Sequence, residues 1–91
     1  MIFAIEDEHH CELGASFATE REALAELERL ATLPWDAQPN QAPCTSWEDC
    51  GRRYVLVEYD DSGTRWRQIR YTEMLDISAR GTHWLAPRTR A

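Results

Sequence analysis

The chain has 91 residues, 43% apolar and 29% charged, which fits one small folded domain and excludes the low-hydrophobicity regime of disorder. A formal net charge of −6 argues against general affinity for nucleic acid or anionic membrane, whose phosphates call for positive charge. No apolar run approaches the roughly 20 residues of a membrane span, and the acidic MIFAIEDE lacks the basic start and long apolar stretch of a signal peptide. The expectation is a cytoplasmic protein with no membrane association.

All ten basic residues are arginine, a bias that reads as genome composition. Residues 1–49 carry a charge of −9 and residues 50–91 a charge of +3, so the two parts are expected to neutralise one another within the fold or across a dimer. An odd number of cysteines, three, in a chain without a secretory signal argues against a disulfide framework.

Ile2 to Ile5 form a short apolar run, and Cys11, Leu13, Ala15 and Phe17 alternate with polar or small residues. The pattern predicts a hairpin of two strands around EDEHH, the second half-buried with Cys11 on its apolar face. Thr19 and Glu22 have capping-box spacing, and Ala23, Leu24, Leu27, Leu30 and Ala31 recur at helical spacing. A helix is therefore predicted from Thr19 until Pro34 ends it. RRYVLVEY predicts a central strand, DDSG a turn with Gly63 free to take positive φ, and TRWRQIRY its hairpin partner. EMLDISA predicts a further strand, broken by Arg80 and Gly81. The expected fold is α+β: an antiparallel sheet of four to five strands in the chain order β-β-α-β-β-β, one helix on one face, and a single domain over 1–91 whose residues 86–91 form a frayed tail.

Between helix and central strand lies PWDAQPNQAPCTSWEDCGRR, residues 34–53, with three of the four prolines, two of the three cysteines and two of the four tryptophans. Loops of this length are commonly functional or disordered. The aromatics Trp35 and Trp47 argue for order, as a rigid flap pinned by two buried indoles. Thr45 and Glu48 repeat the capping-box spacing, so SWEDC predicts one helical turn with Gly51 as its cap. Cys44 ahead of that turn is a candidate reactive thiol. His9, His10, Cys11, Cys44 and Cys50 include the ligand types zinc favours. The five residues between Cys44 and Cys50 exceed the usual two to four, however, and Cys11 is expected on the apolar face of its strand, so no metal and no cofactor is expected. A second constellation, Arg65, Trp66 and Arg67 in RWRQIRY, could meet phosphates and stack bases. The negative net charge weighs against it, and pairing of these arginines with Glu58, Asp60 or Glu73 is the plainer expectation.

No catalytic signature is present. The expectation is a small binding or protein-interaction module, homodimeric through its sheet edges, rather than an enzyme. Its candidate surface comprises Trp35, Cys44, Trp47, Cys50, Arg65, Trp66 and Arg67, open to a protein partner or small ligand. The alternatives are a thiol-dependent enzyme using Cys44 and a single-stranded nucleic-acid binder using residues 65–71.

Overall fold

Five strands, β1 (Ile2–Asp7), β2 (Glu12–Phe17), β3 (Gly51–Asp60), β4 (Arg67–Ser78) and β5 (Gly81–Trp84), form one sheet in the order β2-β1-β3-β4-β5, and one helix, α1 (Glu20–Ala31), packs on it. All four pairings are antiparallel. The computed structural model describes residues 1–87, so most of the expected tail, 88–91, lies outside the described residues. The α+β class, the single helix and its placement agree with the sequence. Among the described residues, no helix is long and apolar enough to cross a membrane.

β3 is central because it alternates large apolar residues on both faces. Tyr54 and Leu56 join Ile5, Leu75, Ile77 and the helix residues Ala23, Leu27 and Leu30 in one core. Val55 and Val57, also fully buried, alternate with them and so point to the other face. That face carries no second layer among the described residues, and its polar side chains pair along it. The Tyr59 hydroxyl donates to Glu6 at 2.6 Å, the Tyr71 hydroxyl to Glu8, and Arg53 clasps Asp76 at 2.8 and 3.0 Å.

The helix begins as its sequence requires. Thr19 is the N-cap, its hydroxyl accepting from the Glu22 amide at 3.2 Å and donating to the Glu22 carboxylate at 2.9 Å. It ends at Ala31, three residues before Pro34, which excludes a further turn, with Thr32 as C-cap and its hydroxyl on the Arg29 carbonyl.

Several expectations are corrected. TRWRQIRY and EMLDISA do not form two strands: residues 67–78 are one strand, and the fifth strand is Gly81–Trp84. The register slips between Tyr54↔Leu75 and Val55↔Glu73, leaving Met74 as the extra residue of a bulge, which allows consecutive Met74 and Leu75 both to be buried. β2 is not half-buried: residues 12–16 are exposed, Leu13 at 81%, because β2 is the edge strand and only Phe17 packs against the core. Cys11 lies in the turn before β2 with φ 52°, exposed. Gly63 does not take positive φ; among the glycines only Gly81 does, at 114°. Part of the charge split is met within the chain, where Arg52 bonds Asp7 and Glu12, and Arg53 lies 3.7 Å from Glu8.

A candidate thiol and imidazole site under the long loop

The loop between α1 and β3 is held from within. Asn40 is 1% exposed; its Nδ2 donates to the Leu30 and Leu33 carbonyls at 2.9 and 3.2 Å, and its Oδ1 accepts from the Tyr54 hydroxyl at 2.8 Å. One side chain thus answers carbonyls at the helix end and ties the loop to β3. Ala42 is buried as well. Trp35 and Trp47 stack on each other, centroids 5.7 Å apart and planes inclined by 41°. Both are only half-buried; Trp35 packs against the core as expected, whereas Trp47 is not among the residues packed there, which corrects the expectation for that indole.

After Pro43 the chain makes one hydrogen-bonded turn over residues 45–49, but among the described residues it lacks the expected Thr45–Glu48 capping box. The Trp47 amide donates to the Cys44 carbonyl at 3.2 Å, and the Asp49 and Cys50 amides donate to the Ser46 carbonyl at 2.9 and 3.1 Å. Gly51 is not its cap but the first residue of β3. A Cβ there would stand 2.6 Å from the Ser78 Cβ and 2.7 Å from the Ile77 carbonyl oxygen, so glycine answers a close approach of two strands. The turn sets Cys44 at its start and Cys50 at its end.

The β1–β2 connection brings the third member. The Glu8 amide donates to the Arg53 carbonyl at 2.9 Å, and the His9 amide to Asp7 Oδ1 at 3.0 Å. His10 then lies with Nδ1 2.7 Å from Asp7 Oδ2 and Nε2 3.3 Å from Cys50 Sγ. One donor atom from each of His10, Cys44 and Cys50 lies within 4.8 Å of the other two, and all three residues are half-buried. Asp7 is 2% exposed and is itself held by Arg52 Nη1 at 2.9 Å and by the Arg53 amide at 3.3 Å. Arg52 also donates to Glu12 and, at 2.9 Å, to the Gln41 carbonyl. The same arginine therefore secures Asp7 and the loop.

The three groups shift one another's proton affinities. Burial pulls His10 down, but the bonds to Asp7 and then to Cys44 outweigh it and leave its pKa raised. The bond from Cys50, opposed by burial and aided by His10 and Ser46, lowers Cys44 to about 7. Cys50, as the donor to Cys44, is raised, and burial adds to the rise. Two thiols and an imidazole with a fixed tautomer can bind a thiophilic cation, form a disulfide, or present a thiolate. Beside Cys50 opens a groove of about 760 Å³ lined by His9, Arg53, Asp76, Ser78 and Arg80 among others.

Of the residues singled out from sequence, Trp35, Cys44, Trp47 and Cys50 come together in this loop. Arg65, Trp66 and Arg67 do not join them. They lie where β3 ends and β4 begins, and the ten residues of β3 separate the two groups by roughly 30 Å. There the plainer expectation holds for Arg67, which pairs with Asp60 at 3.2 Å, and for the neighbouring Arg70 with Glu58 at 3.7 Å, but not for Arg65, which has no ion pair among the described residues, and the Trp66 ring packs on Tyr59 at 5.6 Å. Sequence reasoning missed Asp7, Asn40 and Arg52, and it counted His10 among zinc-type ligands without expecting a metal. Asp7 follows Ile5 by two, and Arg52 precedes Tyr54 by two. Each is thus a charge at a position whose period puts it on the buried face, and that was the available signal. Comparison with protein-family models, curated proteins and solved structures finds no match to this chain.

Proposed function

We propose that the chain is a small cytoplasmic binding or protein-interaction module whose contact surface is the loop of residues 34–50. The observation that supports this reading is the Trp35–Trp47 stack, two indoles that stay partly exposed on a loop whose backbone is fixed by Asn40. Tryptophan contributes large, rigid contact area and is enriched among the residues that dominate interface energies. A loop ordered before binding loses little entropy on contact. A cytoplasmic setting belongs to the same reading, because its reducing conditions keep Cys44 and Cys50 available as thiols.

A homodimer is part of the proposal. The outer edge of β2 is exposed along residues 12–16 and carries neither lysine nor proline, so it can pair with a second copy about a twofold axis. Light scattering across the micromolar range should give twice the monomer mass; a monomer mass throughout would remove this element.

The contact surface is tested by photo-crosslinking in cells from a probe residue at position 36, beside the stack, and from one at position 64, at the other end of the sheet. A partner identified from position 36 and reconstituted from purified protein should bind at least about tenfold more weakly to Trp47→Ala, as truncation of a central interface tryptophan does. Equal crosslinking from both positions, or unchanged affinity of that variant, would overturn the reading.

A further inference from the structure

We infer that His10, Cys44 and Cys50 form a binding site for a zinc-type divalent cation, with Asp7 as the group that orients the histidine and a fourth coordination position open to solvent. The inference shares a loop with the contact surface but does not rest on it, since metal binding is a property of the isolated chain.

Geometry carries it first. In a tetrahedral site with metal–sulfur bonds of about 2.3 Å and metal–nitrogen bonds of about 2.0 Å, neighbouring donor atoms stand about 3.5 to 3.8 Å apart. The observed donors are mutually within 4.8 Å, and His10 Nε2 and Cys50 Sγ are 3.3 Å apart. The three atoms can thus meet one ion through small side-chain movements. Each comes from a different place on a fixed backbone: the β1–β2 turn, the start of the helical turn, and the residue that leads into β3.

The tautomer is the second, independent observation. His10 Nδ1 faces the Asp7 carboxylate at 2.7 Å, so this nitrogen carries the proton and the Nε2 lone pair faces the sulfurs. A carboxylate behind a ligating imidazole is the usual arrangement at such sites; it fixes the ring and raises its basicity as a ligand. Asp7 is buried, and its other contacts, the His9 and Arg53 amides and the Arg52 guanidinium, hold it in that role.

Charge and ligand chemistry select the ion. On binding, each thiol loses its proton to solvent, and the two thiolates balance a divalent cation beside a neutral imidazole. The charge of Asp7 is already met by Arg52. Two sulfurs and a nitrogen suit zinc and disfavour magnesium or calcium, which require oxygen ligands. Three protein ligands leave one position for water or an incoming group, as in sites where the metal contacts something other than the protein. Cys11 is outside the cluster and supplies the control.

The test is anaerobic titration of the reduced full chain with cobalt(II), then zinc. Expected are one equivalent of cobalt bound with sulfur-to-cobalt absorption and tetrahedral visible bands, displacement of cobalt by zinc, and a zinc-dependent rise in Tm. Cys11→Ser should behave as the parent. Cys44→Ser should lose roughly half of the sulfur-to-cobalt absorption, as expected when one of two thiolates is removed, together with the rise in Tm, while its circular dichroism without metal stays native; Cys50→Ser and His10→Gln provide second and third readings. Asp7→Asn, read only if it folds, should weaken zinc by about 10- to 100-fold. No sulfur-to-cobalt band at one equivalent, a band unchanged in both Cys44→Ser and Cys50→Ser, or a band lost in Cys11→Ser would each overturn the site. None of these results bears on crosslinking from position 36, so the two proposals fail separately.

Discussion

The Tyr54 hydroxyl, on the central strand, donates to the side-chain carbonyl of Asn40 at 2.8 Å, and both groups are buried. The same Asn40 donates to carbonyls at the end of α1. Helix, strand and loop thus meet at one amide whose donors and acceptor are all used. Asn40→Ala would leave the buried Tyr54 hydroxyl and the Leu33 carbonyl without that partner, each costing about 1 to 3 kcal/mol, while the Leu30 carbonyl keeps the Leu33 amide at 3.1 Å. A loss of about 2 to 4 kcal/mol in urea unfolding is expected, with Tyr54→Phe milder at about 1 to 2 kcal/mol. A change below about 0.5 kcal/mol for Asn40→Ala, the size of an ordinary surface substitution, would show that the loop does not depend on this residue.

Tyr54 also sets an alkaline limit. Burial, partly offset by Arg52, pushes its pKa to about 12, above its ordinary value of 10.0. The folded chain holds this proton more tightly than the unfolded chain, so the associated stability is complete below pH 10 and is lost as pH rises through about 12. Its size is on the order of 2 kcal/mol. Tyr59 and Tyr71 are raised to about 12 too, so the parent should unfold cooperatively with tyrosinate absorbance appearing. In Tyr54→Phe, less stable near neutrality, the decline between pH 10 and 12 should be shallower. An identical slope in both proteins would refute the assignment.

The helix was legible from its cap and stripe because both signals are local, and β3 from a hydrophobic pattern dense enough to make it central. The continuous β4 was not legible, because the bulge at Met74 breaks the alternation that marks a strand. β2 misled for a different reason: its period of two is real, but alternation does not say whether another element lies over that face. Within the site, both cysteines and both tryptophans stood out by composition. Asp7 did not, and the place of His10 beside Cys44 was not legible, since both lie 34 or more residues from Cys44 and are brought to it only by the pairing of β1 with β3.

Arg52 and Asp7 form an ion pair that is almost wholly buried, with side-chain exposures of 9% and 2%. Removing Arg52 leaves Asp7 buried with only His10 and two amides, and removing Asp7 leaves Arg52 on Glu12 and the Gln41 carbonyl, so each alanine variant should destabilise by less than the ~3 to 5 kcal/mol of a fully stranded charge. Arg52 Nε has no hydrogen-bond partner among the described residues, so the pair is imperfectly satisfied even when intact. A double variant, Asp7→Leu with Arg52→Met, should accordingly be less damaging than the sum of the two alanine variants. Additive losses in denaturant unfolding would mean that the two residues act separately.

The tryptophan stack separates packing from contact. A fully buried aromatic costs about 3 to 5 kcal/mol when truncated to alanine, but Trp35 and Trp47 are only half-buried, stacking on each other while Trp35 also packs against the core. Each single alanine variant should therefore cost about 1 to 2 kcal/mol, with a coupling energy of about 0.5 to 1.5 kcal/mol in the double-mutant cycle. The backbone beneath does not depend on the indoles, because Asn40 and Ala42 are buried at 1% and 5% exposure and the Asn40 bonds run to α1 and β3. Native-state proteolysis should then leave residues 38–42 uncut in the parent and in both single variants until the domain unfolds. Early cleavage in the parent would mean a mobile loop, and the contact surface proposed on it would lose its basis. Protection in all three proteins, together with a small stability cost, would leave the exposed ring faces as aromatic surface that folding does not require, which is the property expected of residues kept for a partner.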